Sequence, residues 1–229
     1  EEAVYQAFQR GDLPGGRIKK KNEEITKVLL ECGISNDEIR SYRGIYKGNV
    51  ITDETRGEVH MIEVIELILD AFEQVMDAGP LAREPCTKMK ISIADIKLHE
   101  DAIHRGPAQV YPAIRDAISE AMKSVGITLL EPLQTHEIEA PNDFMGAVTK
   151  LVSQKRGQLI DVEQDEFGVK VKAKIPVAEM LGWSSDLRSA TEGRGVSNLM
   201  DQSFEAMPRE LQAEVVRKIR TRKGLAENQ

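Results

Sequence analysis

Two of the four histidines, His99 and His104, share one short segment with Glu100 and Asp101, which invites a metal or acid–base reading. A zinc-protease helix needs His-Glu-x-x-His, so that both rings share one helical face at i and i+4. Here the histidines stand five apart, about 140° around a helix of 3.6 residues per turn. The stretch also lies between a strand-like run and Gly106-Pro107, so it reads as a loop. Nucleophilic catalysis finds no Gly-x-Ser-x-Gly elbow, and neither Cys32 nor Cys86 has a histidine beside it in sequence. Gly193-Arg194-Gly195 is followed by Asn198 where a dinucleotide fingerprint wants glycine, and no strand leads into it. A Gly-x-x-x-x-Gly-Lys-Ser/Thr loop is absent, so nothing cradles a nucleoside triphosphate in the usual way. By motif we expect no catalytic residue and no metal site.

The loop at 99–107 still holds two histidines, two acids and an arginine between apolar elements. One reading is a solvated turn whose proline starts the next helix. The other is an exposed contact tip, held by a strand on one side and a long helix on the other. Two basic features have similar alternatives. The row Lys170, Lys172, Lys174 has the spacing to face phosphates, but Asp161, Glu163, Asp165 and Glu166 weaken its field, and a solvated strand face is expected. The run Arg217, Lys218, Arg220, Arg222, Lys223 complements the negative end of its own helix. Its density exceeds that need, so RNA contact and simple solvation both stay open.

The elements that must position these residues follow from periodicity. A polar, helix-leaning start leads through a Gly/Pro turn at 13–16 into a basic run at 17–21. Ile25, Val28 and Leu29 give a short helical face closed by Gly33, and Ser35 can cap a further helix with Ile39 and Tyr42 on one side. Residues 49–59 look like a hairpin or irregular strand pair, with Thr52-Asp53 and Arg56-Gly57 as turn material. A strong helix carries Met61, Val64, Ile65, Ile68, Phe72, Val75 and Met76, and Gly79-Pro80 ends it. Met89, Ile91 and Ile93 alternate as on a strand, and the phase slips at Ala94 toward Ile96 and Leu98, which predicts a bulge. After the loop, Val110, Ile114, Ala117, Ile118, Ala121 and Met122 mark a second helix that stops at Gly126. The order then becomes strand (133–139), helix (144–152), strand (158–162), strand (169–177), helix (185–190), strand (199–204), which is βαββαβ, a ferredoxin-like arrangement. A basic amphipathic helix over 208–223 has Leu211, Val215, Val216 and Ile219 as its stripe.

The fold class is therefore α+β: two α/β-layered domains, the second a ferredoxin-like sandwich, plus a C-terminal helix. We place domains at 1–126 and 127–206, with the helix at 207–229. The 229 residues are 41% hydrophobic and 30% charged, a globular balance. No apolar run approaches the roughly 18 residues of a membrane span, and two scattered cysteines fit a reducing cytoplasm. The formal net charge of −7 argues against indiscriminate nucleic-acid coating, yet residues 205–229 carry net +2 and the remainder −9. The chain begins at Glu1 without an initiator Met or a signal pattern, and reads as part of a longer protein.

Leu98-His99-Glu100-Asp101-Ala102-Ile103-His104-Arg105-Gly106-Pro107-Ala108-Gln109 resembles the diphthamide loop of the elongation factor 2 family, in its archaeal form. The link Ala78-Gly79-Pro80-Leu81-Ala82-Arg83-Glu84-Pro85 is similar too, as are Leu130-Glu131-Pro132, Gln154-Lys155-Arg156-Gly157, the stretch 182–191 and the tail Arg222-Lys223-Gly224-Leu225. The similarity covers nearly the whole chain in the family's order. It implies domain IV, then domain V, then a terminal helix returning toward domain IV. It implies a rigid arm that enters the small-subunit decoding site and accompanies the tRNA–mRNA duplex during translocation, and a domain V near the GTPase-centre rRNA of the large subunit. His104 matches the histidine that diphthamide-synthesis enzymes modify. His99, Asp101, Arg105, Gly106 and Gln109 match the tip around it, and Arg217, Lys218, Arg220, Arg222 and Lys223 are candidate rRNA contacts. GTP and magnesium would belong to a GTPase domain of the parent, so this chain is expected to hold no cofactor and to be no enzyme. The family's first domain IV strand, with a second tip loop, is expected before Glu1.

Three competing readings remain. A ribosome-protection or recycling paralogue would lack reason to keep the diphthamide loop. A small hydrolase using His99 or His104 with Glu100 or Asp101 would bind stoichiometric zinc. A free-standing RNA-binding module would bind unrelated RNA tightly, against its net acidity.

Overall fold

A computed structural model of the chain describes residues 2–18, 22–55 and 58–226, with the backbone alone at 58–61. The chain divides into two compact units, Glu1–Ile127 with Val216–Gln229, and Thr128–Val215.

Unit 1 opens with α1 (Glu2–Gln9), a two-residue strand β1 (Gly16–Arg17), α2 (Glu23–Glu31) and α3 (Asn36–Ile39). The Asn22 side chain caps α2 by accepting from the N–H groups of Glu24 and Ile25, and Ser35 caps α3 by accepting from Glu38. The hairpin β2 (Tyr42–Tyr46) and β3 (Asn49–Asp53) follows, then α4 (Glu58–Asp77), β4 (Lys90–Ile93) and α5 (Pro107–Val125). The sheet order is β1-β2-β3-β4, antiparallel except that β4 runs parallel to β3, with α4 as the crossover. Both faces of β3 are covered. Val50 packs with Val4, Leu29 and Ile45 in one core, whereas Ile51 packs with Val64, Ile68, Phe72, Val110 and Met122 in the other.

That double burial corrects several sequence expectations. A strand covered on both sides loses its polar alternation, so residues 49–53 look irregular although they form a central strand. Thr52 and Asp53 lie inside β3, and the actual turn is Lys47-Gly48, both in the left-handed region at φ 49° and 78°. A Cβ at Gly48 would also come within 2.6 Å of the Tyr5 ring, so glycine is needed there twice over. Tyr42 starts β2 rather than extending the α3 face. The slip at Ala94 marks the end of β4 at Ile93 and no bulge; Ile96 and Leu98 follow as partly buried side chains against the α4–α5 core. Ala117 and Ala121 of α5 are exposed, the buried residues of that helix being Val110, Ile118 and Met122. Of the expected basic run and turns, residues 19–21 and Arg56-Gly57 lie outside the described residues, as does the Met61 side chain.

Unit 2 contains β5 (Leu130–Ala140), α6 (Met145–Gln154), β6 (Gln158–Gln164), β7 (Val169–Pro176), α7 (Trp183–Ala190) and β8 (Val196–Ala206). The fully antiparallel sheet has the order β6-β7-β5-β8, the ferredoxin-like topology. Val169, Val171, Ala173 and Ile175 of β7 are buried with Ile138, Val148, Val152 and Trp183. Burying each such valine or isoleucine contributes about 1.5–3 kcal/mol. Val177, expected on the inward row, is exposed in a 3₁₀ turn after the strand ends at Pro176. The last helix is α8 (Arg209–Arg222). Among the described residues no helix is long and apolar enough to cross a membrane.

Candidate functional site

The tip loop follows from where hydrogen bonds can be made after β4 ends. Asp101 sits in extended conformation and its Oδ1 accepts from the Ile103 N–H at 3.1 Å, starting a single 3₁₀ turn over Ala102–His104. Gly106 is the N-cap of α5 and Pro107 occupies its first turn, where a missing N–H costs nothing. The Gly106 carbonyl accepts from the N–H groups of Gln109 and Val110. The 3₁₀ turn and α5 therefore abut at Arg105 and Gly106.

His99 Nδ1 accepts from the Asp101 N–H at 3.1 Å, so the neutral ring carries its proton on Nε2. The His99 and His104 rings meet edge to face, with centroids 4.6 Å apart and planes at 70°. The His104 ring nitrogens bond to none of the described residues, and the side chain is exposed beside Ile103, itself 75% exposed. An apolar side chain that bare at the apex of a polar loop is consistent with a contact tip. Arg105 differs from the others. Its side chain is only 19% exposed, and its guanidinium donates to the His99 and Glu100 carbonyls at 2.7 and 2.9 Å and to Glu63 at 2.6 Å. Of the six expected tip residues, His99, Asp101, His104 and Gln109 are exposed, whereas Arg105 and Gly106 are half-buried. Arg105 braces the loop from its own exit. Sequence reasoning missed Glu63 and Ile103; the signal for Glu63 is a row of acids on α4 at three- and four-residue steps.

The basic tail is also sorted by its hydrogen bonds. Arg217, Lys218 and Arg222 are exposed on α8. Arg220 is 7% exposed, with Nη1 donating to the Leu81 carbonyl at 2.8 Å and Nε and Nη2 donating to the Ala226 carbonyl at 2.8 and 2.5 Å. Lys223 Nζ donates to the carbonyls of Ala82 and Arg83 and pairs with Glu84 at 2.7 Å. Residues 79–84 form a turn whose carbonyls lie outside helix and sheet, and buried carbonyls require donors. Of the expected rRNA contacts, Arg220 is therefore buried and bonded within unit 1, and Lys223 is largely occupied. The lysine row on β7 is flanked on both sides. Lys170 is in register with Glu139 and Glu163, Lys172 with Glu137 and Asp161, and Lys174 pairs with Glu205 at 2.5 Å. Its field is locally cancelled, as the solvated-face reading expects.

Other polar groups in unit 2 are structural. Arg156 holds the buried Glu131 with two hydrogen bonds and also meets Glu179. His136 Nε2 faces Gln134 Oε1, its Nδ1 faces the Ser197 hydroxyl, and Ser197 accepts from the Trp183 indole at 3.0 Å; burial holds the His136 pKa below its ordinary value. In unit 1, the Cys86 thiol is pushed up to about 11 by burial, which disfavours its thiolate. Among the described residues no group of three His, Cys, Asp or Glu is placed to hold a metal.

The family model "Elongation factor G, domain IV" matches residues 17–126, and "Elongation factor G C-terminus" matches 128–227. Elongation factor 2 of Nanoarchaeum equitans is 50% identical over 216 residues, covering 94% of this chain and 29% of that protein. The elongation factor 2 proteins of Pyrococcus furiosus and Methanocaldococcus jannaschii are each 44% identical, over 99% and 98% of this chain and 31% of their own lengths. The chain thus spans about three tenths of these relatives. With both family models in chain order and such identity across nearly every residue, the chain belongs to the elongation factor G and elongation factor 2 family of translation factors, carrying its domain IV and C-terminal sequences.

Proposed function

We propose that this chain supplies the ribosome-contacting part of a GTP-dependent translocase, with the loop 99–109 as the tip that enters the small-subunit decoding site beside the tRNA–mRNA duplex. GTP and magnesium act elsewhere in the longer protein, in the cytoplasm. The observation that carries this reading is His104, exposed at the apex of a braced 3₁₀ turn in a chain half-identical to an elongation factor 2. His104 is the substrate of diphthamide-synthesis enzymes in this reading. Once modified, it extends a cationic, hydrogen-bonding group toward the RNA backbone and helps hold the reading frame. His99, Asp101 and Gln109 present further polar groups on the same tip, while Arg217, Lys218 and Arg222, exposed on α8, are the cations that would face rRNA of the large-subunit GTPase centre.

The loop suits positioning rather than bond-making chemistry, because its donors and acceptors are directed outward or into its own brace. His104→Ala in the full-length factor is expected to raise frameshifting in a reporter assay while GTP hydrolysis stays near the unsubstituted rate. Unchanged frame maintenance would count against the proposal.

A further inference from the structure

The α4 helix carries Glu63, Glu66, Asp70, Glu73 and Asp77, steps of three and four residues that align them along one face. Together they meet donors from four parts of unit 1: the β2–β3 hairpin, β1, α5 and the tip loop. Asp77 accepts from the Tyr46 hydroxyl and Lys47 Nζ of the β2–β3 hairpin, at 2.8 and 2.7 Å. Glu66, Asp70 and Glu73 surround Arg17 of β1, and Asp70 also accepts from the Tyr111 hydroxyl of α5 at 2.8 Å. Glu63 reaches Arg105 at the exit of the tip loop.

Arg105 closes that loop on itself. One guanidinium bonds the carbonyls of residues 99 and 100 at the loop's start, sits at its exit, and fixes both to a carboxylate on a long helix. An arginine can do this because its donors form a rigid planar fork; a lysine presents one point charge and cannot hold three acceptors in the same geometry. We infer that Arg105 and Glu63 are positioning residues that hold loop 99–105 in the form in which His104 is presented to its modifying enzymes, without touching the partner themselves. The inference rests on the reading of His104 as the modification site.

The test uses the full chain as substrate for the diphthamide-synthesis enzymes, with His104 occupancy read by intact mass and peptide mapping. Amide hydrogen exchange over 99–105 and thermal melting are followed alongside. For Arg105→Ala the initial modification rate is expected to fall about tenfold or more, since a small misplacement of a reacting group is costly. Arg105→Lys should lie between it and the unsubstituted chain. For Glu63→Gln, which removes the charge from one bond, a loss of about threefold is expected, with faster exchange at the His104 and Arg105 amides and an unchanged melting temperature. A slow Arg105→Ala beside a Glu63→Gln at full rate would mean that Arg105 touches the enzyme directly, which overturns the inference. Full rates in both overturn it as well. An unsubstituted chain that is never modified would sink the proposed function instead, and loop exchange in the two variants would then decide whether the brace exists.

Discussion

The tip loop and the basic tail look alike in sequence, for both are short, polar, rich in cations or histidines, and readable as ribosome contacts. In the structure they behave differently. The tip uses the Asp101 side-chain cap and one half-buried arginine to satisfy itself, and His99, Asp101, His104 and Gln109 stay exposed. The tail turns Arg220 and Lys223 inward to the carbonyls of residues 81–83 and 226. Charge density along a segment therefore says little about charge presented to solvent, because uncapped carbonyls elsewhere in the chain recruit the nearest long donors.

The largest effect should separate cations within the tail. Arg220→Ala removes donors from two carbonyls and is expected to destabilise unit 1 by about 2–4 kcal/mol, read by denaturant melting; a loss under half that would place Arg220 back among surface cations. Acid should act next along α4. The Arg17 guanidinium holds the Asp70 carboxyl below its ordinary value of 3.8, with Tyr111 adding a hydrogen bond, and Lys47 does the same for Asp77. A depressed carboxyl stabilises the fold above the unfolded value, so this contribution is present at neutral pH and lost as pH falls from about 3.8 through the lower folded values. An Asp70→Asn variant should show less of that loss. Asp101→Ala should remove the cap of the 3₁₀ turn, about 1 kcal/mol locally, with faster exchange at the Ile103 amide and little change in global melting. The smallest effects are expected where the substitution removes no side-chain bond to the described residues. Arg222→Ala should stay within about 0.5 kcal/mol. Gly106→Ala should do the same, because Gly106 has φ −80° and an added Cβ would meet only Gln109 Oε1 at 3.5 Å.

Much of unit 2 was legible because its pattern is local. The alternation Val169, Val171, Ala173, Ile175 against three lysines, with turns at 156–157 and 165–168, yields the strand order of a ferredoxin-like unit before any long-range contact is known. Unit 1 was harder. Asn49 is fully buried, with its amide bonding the Cys86 carbonyl and Met89 N–H some forty residues away, and no local pattern announces that. The strand at 42–46 was missed because Gly44 lies under Leu69 and Ile51, where small size rather than β propensity decides the residue. The candidate site shows the same division. The histidines, the cap at Asp101 and Gly106-Pro107 were visible as neighbours, whereas the inward turn of Arg105 toward Glu63 and of Arg220 toward Leu81 joins residues 42 and 139 positions apart. Residue type reveals what a side chain can bond; only the fold decides which acceptor it meets.

The most direct measurement is mass spectrometry of the tryptic peptide spanning residues 98–105 from protein isolated from its native host, with fragmentation to separate His99 from His104. The account predicts a diphthamide-sized addition on His104 and none on His99. An unmodified His104, or an addition on His99 alone, would contradict the claim that this loop is a translocation tip presenting His104 for modification.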